Sequence, residues 1–241
     1  MKRVFDIFFS FFGLLLMSPV LLIFMYLVYR HDRHIPLYMA PRVGKDGTVF
    51  KMVKLRSMIS GSDSSGVDST AINDSRITPI GKTIRKYKLD EFTQLWNVLI
   101  GDMSLVGPRP NVERSTELYT DIEKKLLSVV PGMTDFSSIV FSDEGEILKN
   151  RDDPDLAYNQ LIRPWKSRLG LVYVKNHSIW LDLKLILYTF VAIVLKQRAL
   201  DWVSVQLQNL NVDTDVVNIS KREIDLYPFP PPGSDNVVHT R

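Results

Sequence analysis

Apolar residues crowd two stretches of this chain and thin out between them. The first runs from Ile7 to Tyr29, 23 positions bounded by Lys2 and Arg3 on one side and by Arg30 and Arg33 on the other. As a straight helix it would measure about 35 Å, enough to cross a hydrocarbon core of roughly 30 Å. Its length, and the lack of a small-x-small site before the basic cluster, argue against a cleaved leader. Ser18-Pro19 sits mid-run, where proline removes a backbone donor and crowds the preceding turn, so a kink or break is predicted. Basic residues at both flanks give the positive-inside rule no direction for a crossing, and satisfy it if both ends stay on one side. On these residues alone, a re-entrant helix–break–helix with halves of about 15–20 Å and a kinked spanning helix fit equally.

The second stretch, 179–195, carries Trp180, Leu183, Leu187, Phe190, Val191 and Val194, with Asp182 and Lys184 among them. Those charges make it a poor span; an interfacial amphipathic helix is predicted, with a buried core helix as the rival. Between the two stretches the pattern is mixed. Val43 to Phe50 reads as a β-hairpin turning at Lys45-Asp46-Gly47. Residues 60–76, centred on Ser64-Ser65-Gly66, read as a polar loop. Ile80 to Tyr87 suits a short basic helix, and a firmer helix starts near Asp90, with Phe92, Leu95, Trp96 and Leu99 at helical spacing and Gly101 as its stop. Gly107-Pro108-Arg109-Pro110 is a stiff loop, and 111–129 reads as a further helix ended by Pro131-Gly132. Asp143 to Asp155 is an acidic loop, and Leu156 to Lys175 is helical. The tail from about 211, with Pro228-Phe229-Pro230-Pro231-Pro232-Gly233, is expected to be extended or disordered. The fold class is α+β, mainly helical.

The 241 residues include no cysteine, which excludes disulfides, thiolate nucleophiles and cysteine-held zinc. The four histidines show no metal-ligand spacing. The net charge of +3 hides a segregation: residues 42–88 hold ten Lys/Arg against four Asp, whereas 201–241 hold three against six acids. A basic stretch close behind a membrane segment attracts anionic headgroups and phosphate-bearing ligands. Nucleic acid is not expected, since no recognition module is present.

The chemistry lies in four clusters: Lys54-Leu55-Arg56-Ser57, Arg85, Leu89-Asp90-Glu91 and Pro108-Arg109-Pro110. Paired carboxylates among fixed cations are what phosphoryl transfer requires. One carboxylate can attack phosphorus, and a second can hold a magnesium ion on the diphosphate. Arginine forks can neutralise the transition-state charge. Asp90 and Glu91 also suit a plain helix start, as cap and first-turn acid. Arg109, presented between two prolines, suits an anion site or a structural ion pair.

Longer strings carry a resemblance. Lys54-Leu55-Arg56-Ser57-Met58, Asp74 to Gly81, Leu89 to Leu99 and Gly101 to Pro110 closely resemble the bacterial sugar transferases of the monotopic phosphoglycosyl transferase superfamily. Lys2-Arg3-Val4-Phe5-Asp6, Ser18-Pro19 and Pro131-Gly132-Met133-Thr134 also match that family's pattern, so that the resemblance covers roughly 1–195. It implies a re-entrant membrane hairpin over 1–34, with Lys2, Arg3, Ser18 and Pro19 as its markers. A small cytoplasmic α/β catalytic domain with a short β-hairpin and interfacial helices would follow over 35–200, and a partly disordered extension over 201–241. Asp90 is then the expected nucleophile, forming a covalent phosphosugar intermediate and releasing UMP. Glu91 is expected to help bind Mg2+. Arg109 with Pro108 and Pro110 would shape the phosphate site, joined by Lys54, Arg56 and Arg85. The implied substrates are a UDP-sugar and undecaprenyl phosphate, in the initiating step of surface-glycan assembly at the cytoplasmic face of a bacterial inner membrane. Membrane lipids are implied partners, and a homodimer is left open. Phe92-Thr93 and Asp135-Phe136 depart from the common pattern, the latter in a loop expected to face substrate. The alternative reading is a catalytically silent membrane adaptor, against which the intact Asp90-Glu91 and Arg109 argue. Neither the sugar nor the glycan pathway is specified by these residues.

Overall fold

The computed structural model describes residues 1–62 and 73–239, so the centre of the polar loop at Ser64-Ser65-Gly66 lies outside the described residues. The first element is one long helix, α1 (Lys2–Asp32), with Pro19 inside it. The predicted division into two helices at Ser18-Pro19 is absent. Proline leaves the Leu15 carbonyl without its usual amide partner, and the Ser18 hydroxyl takes that carbonyl at 2.8 Å, so the helix runs on.

The buried residues of α1 are Asp6, Ser10, Leu21 and Val28, while Phe8, Phe9, Phe11, Phe12, Leu15, Leu16, Leu22 and Ile23 are exposed. That is the reverse of a water-facing helix, because its first half turns polar groups inward. Asp6 accepts from the Ser104 hydroxyl at 2.9 Å and the Leu105 amide at 3.1 Å. Arg3 caps a later helix by donating to the carbonyls of Val98 (2.5 Å) and Leu99 (2.7 Å).

Strands β1 (Leu37–Val43) and β2 (Val49–Leu55) form the predicted antiparallel hairpin, Leu37 facing Leu55 and Val43 facing Val49. Its 3-10 turn falls on Lys45–Gly47, where Asp46 (φ 55°) and Gly47 (φ 79°) take left-handed conformations. Helices α2 (Pro79–Lys86), α3 (Leu89–Phe92) and α4 (Leu95–Ile100) follow, and α4 stops at Gly101 in the left-handed region (φ 106°). The single helix expected from Asp90 is thus two short ones, and Trp96 faces outward while Asn97 and Val98 are buried.

Strand β3 (Ser104–Val106) pairs in parallel with β4 (Gly132–Thr134). The backbones touch here: a Cβ on Gly132 would lie 2.0 Å from the Gly107 nitrogen, so only glycine fits. Between these strands, the helix expected over 111–129 is reduced to α5 (Glu113–Glu117) and a 3-10 turn, Glu123–Ser128. The cause is Glu123, turned fully inward to bind Arg163 (2.6 Å), Ser167 (2.7 Å) and the Thr120 amide (3.0 Å).

Helices α6 (Phe136–Val140), α7 (Glu144–Ile147) and α8 (Pro154–Ala157) are short, the last two replacing much of the expected acidic loop. A π turn at Tyr158–Ile162 leads into α9 (Arg163–Asn176). Helices α10 (Ile179–Val194), α11 (Lys196–Asn209) and α12 (Thr214–Lys221) complete the main core, with Phe136, Trp165, Leu169, Leu185, Val203 and Val217 buried together. Each such side chain contributes about 1.5–3 kcal/mol.

Helix α10 buries Leu181, Asp182 and Leu185 and exposes Trp180, Leu187, Phe190, Ile193 and Val194, so the core-helix reading of its aromatic face fails. After α12 the chain is extended, yet it is fastened where disorder was expected. Phe229 stacks on Trp165 with ring centres 4.4 Å apart. Arg168 donates to the Pro230 carbonyl at 2.9 Å, and the Gln160 amide donates to Val238 O at 2.8 Å.

Candidate active site

Two polar residues of the α3–α4 segment fix the site. Asn97 accepts from the Val53 amide (2.8 Å) and donates to the Lys51 carbonyl (2.8 Å). The Thr93 hydroxyl, one turn earlier, lies 3.0 Å from Val53 O and 2.9 Å from Asp90 O. These buried bonds clamp the segment against β2, so Lys54 on the strand and Asp90 on the helix meet. Lys88, left-handed at φ 51°, turns the chain into α3 and places Asp90 and Glu91 in its first turn. A non-glycine residue in that region carries strain of order 1 kcal/mol, retained because the packing around it demands the turn. Asp90 is therefore not the cap of its helix.

Arg109 comes from the loop after β3. Its guanidinium donates to Glu91 Oε1 at 3.2 Å and to the Met133 carbonyl at 3.3 Å. Arg85 on α2 donates from Nε to the Ser57 hydroxyl at 2.9 Å. Among the described residues, nothing hydrogen-bonds the Asp90 carboxylate or the Lys54 ammonium. Burial raises the Asp90 pKa, while Lys54, Arg85 and Arg109 act to lower it and Glu91 adds to the rise. Burial also pushes Glu91 up, but Arg109, Lys88 and Lys54 outweigh it and hold this acid below its ordinary range. Lys54 falls to about 8 through burial and the nearby Arg109, partly offset by Asp90.

Arg109 and Lys54 also line a cleft of about 390 Å³, with Arg42, Arg114, Lys166, Glu144 and Asp155 in its wall. Lys166 pairs with Glu144 there. The structure therefore brings together Asp90, Glu91, Lys54, Arg85, Arg109, Pro108 and Pro110. It sets Arg56 apart, because that guanidinium grips Asp32 at the end of α1 (2.5 and 2.7 Å) and donates to Ile35 O (2.9 Å). Lys2 and Arg3 are likewise fasteners: Lys2 bonds Asp182 at 2.5 Å and Val106 O at 3.1 Å. Arg42, Arg114, Tyr158 and Lys166 were not singled out from the sequence. Only the basic bias of 42–88 hinted at Arg42, and nothing local marked the other three.

Comparison with known proteins shows the family. The model of the family "Bacterial sugar transferase" matches residues 1–196. The chain is 35% identical over 212 residues to the "UDP-galactose-lipid carrier transferase" of Erwinia amylovora, covering 82% of this chain and 41% of that protein. It is 35% identical over 192 residues to the "UDP-glucose:undecaprenyl-phosphate glucose-1-phosphate transferase" of Klebsiella pneumoniae, covering 78% and 39%. It is 32% identical over 211 residues to the "Exopolysaccharide production protein ExoY" of Rhizobium meliloti, covering 81% and 86%. The chain thus spans about two fifths of the length of the first two relatives and most of the third. With Asp90, Glu91 and Arg109 assembled inside the matched region, the chain belongs to the bacterial sugar transferase family.

Proposed function

We propose that this chain transfers a phosphosugar from a UDP-sugar to undecaprenyl phosphate with Asp90 as nucleophile, releasing UMP, as the initiating step of surface-glycan assembly. The observation that carries this reading is the unbonded Asp90 carboxylate beside the unbonded Lys54 ammonium, while the neighbouring acid is tied to Arg109. In the first step an Asp90 oxygen attacks the sugar-bearing phosphorus. The bond from that phosphorus to the bridging oxygen breaks, and UMP leaves with the electron pair. In the second step a phosphate oxygen of the lipid attacks the same phosphorus, the Asp90–phosphorus bond breaks, and the carboxylate is restored.

Lys54, Arg85 and Arg109 offset the charge that gathers on the phosphate oxygens. The donor set suits a magnesium ion. Asp90 and Glu91 are adjacent carboxylates, Arg109 holds only Oε1 of Glu91, and magnesium is commonly held by one or two carboxylates with phosphates and water completing its shell. Among the described residues no cluster of three acids or histidines exists, so the diphosphate would supply the remaining ligands. Bound there, the ion would neutralise diphosphate charge.

The site is read as lying at a membrane surface. Both ends of α1 are bonded to the same domain, Lys2, Arg3 and Asp6 at one end and Asp32 at the other. A helix that crossed a bilayer would carry one end away from that domain. These contacts support a monotopic reading with both termini of α1 on one side, which we take to be the cytoplasmic one. The exposed apolar faces of α1 and α10, with Trp96 and Ile100, would lie in lipid.

The test is single turnover. Purified protein given a UDP-sugar without lipid acceptor should release UMP and gain a phosphosugar adduct on Asp90. With both substrates varied, parallel rather than intersecting double-reciprocal lines are expected. Intersecting lines with no adduct would instead mean direct transfer in a ternary complex.

A further inference from the structure

Beside Arg109 lies a second, smaller cavity of about 60 Å³. Arg109, Pro110, Asn111, Tyr158 and Lys166 border both spaces. Asp135 stands in the wall of the smaller one and is fully buried. Its Oδ1 accepts from the Ser137 hydroxyl (2.7 Å), the Ser138 amide (2.8 Å) and the Ser138 hydroxyl (2.9 Å). Its Oδ2 is equally buried and has no hydrogen-bond partner among the described residues.

A buried acceptor without a donor is destabilising, and such a group calls for a ligand or an ordered water. Capping α6 does not explain it. The cap uses Oδ1, and asparagine or serine caps as well as aspartate. Nor does a cation answer it, since Arg163 is held by Glu123, Lys166 by Glu144 and Arg109 by Glu91. Burial pushes the Asp135 pKa up, a penalty that a hydrogen bond donated by a ligand would relieve.

We infer that Asp135 Oδ2 accepts a hydrogen bond from a hydroxyl or amide N–H substituent on the sugar of the donor, and so sets which sugar the site takes. The inference rests on the proposed transfer from a UDP-sugar and takes the larger cleft, which Lys54 and Arg109 line, as the place of the nucleotide-sugar. Size divides the two spaces: about 390 Å³ can take the bulk of a nucleotide-sugar, whereas about 60 Å³ admits a substituent of the ring. Arg109 and Lys166 border both spaces, so what distinguishes the smaller one is the unpartnered acceptor of Asp135, which a hydroxyl or amide N–H can satisfy and a phosphate oxygen cannot. Gly170 also lines the cavity, and a Cβ there would come within 2.8 Å of the Leu126 side chain.

The test uses the full chain in lipid nanodiscs and a panel of UDP-sugars, with UDP alone as the probe of nucleotide binding. Asp135→Ser keeps a capping hydroxyl and removes the acceptor. For the preferred sugar kcat/KM should fall by about 100-fold or more, UDP affinity should hold, and discrimination against the congener lacking the donor substituent should collapse. Asp135→Asn offers an N–H in place of the acceptor. An amide N–H cannot accept from it and a hydroxyl can do so only by turning, so in either case the sugar that presents a donor loses part of its advantage over the congener that lacks one. Should the serine variant fail to fold, the asparagine variant, an equal cap, carries the test through its altered ranking of sugars. If folded variants rank the sugars as the unsubstituted protein does, Asp135 is only a cap over a trapped water and the inference is overturned. If the unsubstituted protein turns over no UDP-sugar at all, the underlying reading falls first and takes the inference with it.

Discussion

Arg109 holds Glu91 at 3.2 Å, and that ion pair leaves two neighbouring carboxylates in different electrostatic states. Glu91 is bonded and acidic, whereas Asp90, one residue before it, has no side-chain hydrogen bond among the described residues and a raised pKa. Asp90→Asn should therefore remove UMP release by on the order of 10⁴-fold or more while leaving UDP binding intact. Glu91→Gln should instead weaken the response to added magnesium and loosen Arg109. Single-turnover assays across a magnesium titration distinguish the two, and near-normal turnover in Asp90→Asn would show the nucleophile to be misassigned.

A bell-shaped pH profile of kcat/KM follows from Asp90 and Lys54. As pH falls, Asp90 takes up a proton earlier than an ordinary aspartate, because its pKa is raised, and the nucleophile is lost. As pH rises through about 8, Lys54 loses its proton and with it the attraction for the diphosphate. Lys54→Arg should keep its charge at high pH and move the alkaline limb upward. An unmoved limb would assign it to another group.

The topology of α1 can be read by labelling, since the chain has no cysteine of its own. Val4 and Ile35, both well exposed, flank the apolar run. In intact cells neither Val4→Cys nor Ile35→Cys should react with a membrane-impermeant maleimide added outside, and both should react once the cytoplasmic side is opened. Outside labelling of one position alone would mean a spanning helix.

Glu123 gives a stability prediction away from the site. Its side chain is fully buried against Arg163, itself 5% exposed, and Glu123→Ala leaves that guanidinium without its counter-charge. The expected loss is about 3–5 kcal/mol, measured by thermal or denaturant unfolding in detergent. A change within experimental scatter would mean that water reaches Arg163.

Elements governed by neighbours in sequence were legible from it. The turn at Lys45-Asp46-Gly47 needs left-handed backbone that Asp46 and Gly47 supply, and Gly101 ends α4 for the same reason. The outer face of α10 follows from helical spacing alone, as does the apolar length of α1. The local motif also brought forward Asp90, Glu91 and Arg109, which the fold then gathered.

Pairings between distant residues were decided only by the tertiary structure. Arg56 carries the same charge as Lys54 two residues before it, yet one grips Asp32 and the other enters the cleft, because β2 ends at Leu55 and Arg56, just past it, comes beside the end of α1. The bond of Lys2 to Asp182 spans 180 residues, and the unpartnered oxygen of Asp135 is defined by what fails to reach it. Neither leaves a trace in local spacing. A side chain's partner is set by the global minimum of packing and desolvation, to which the residues beside it in sequence contribute little.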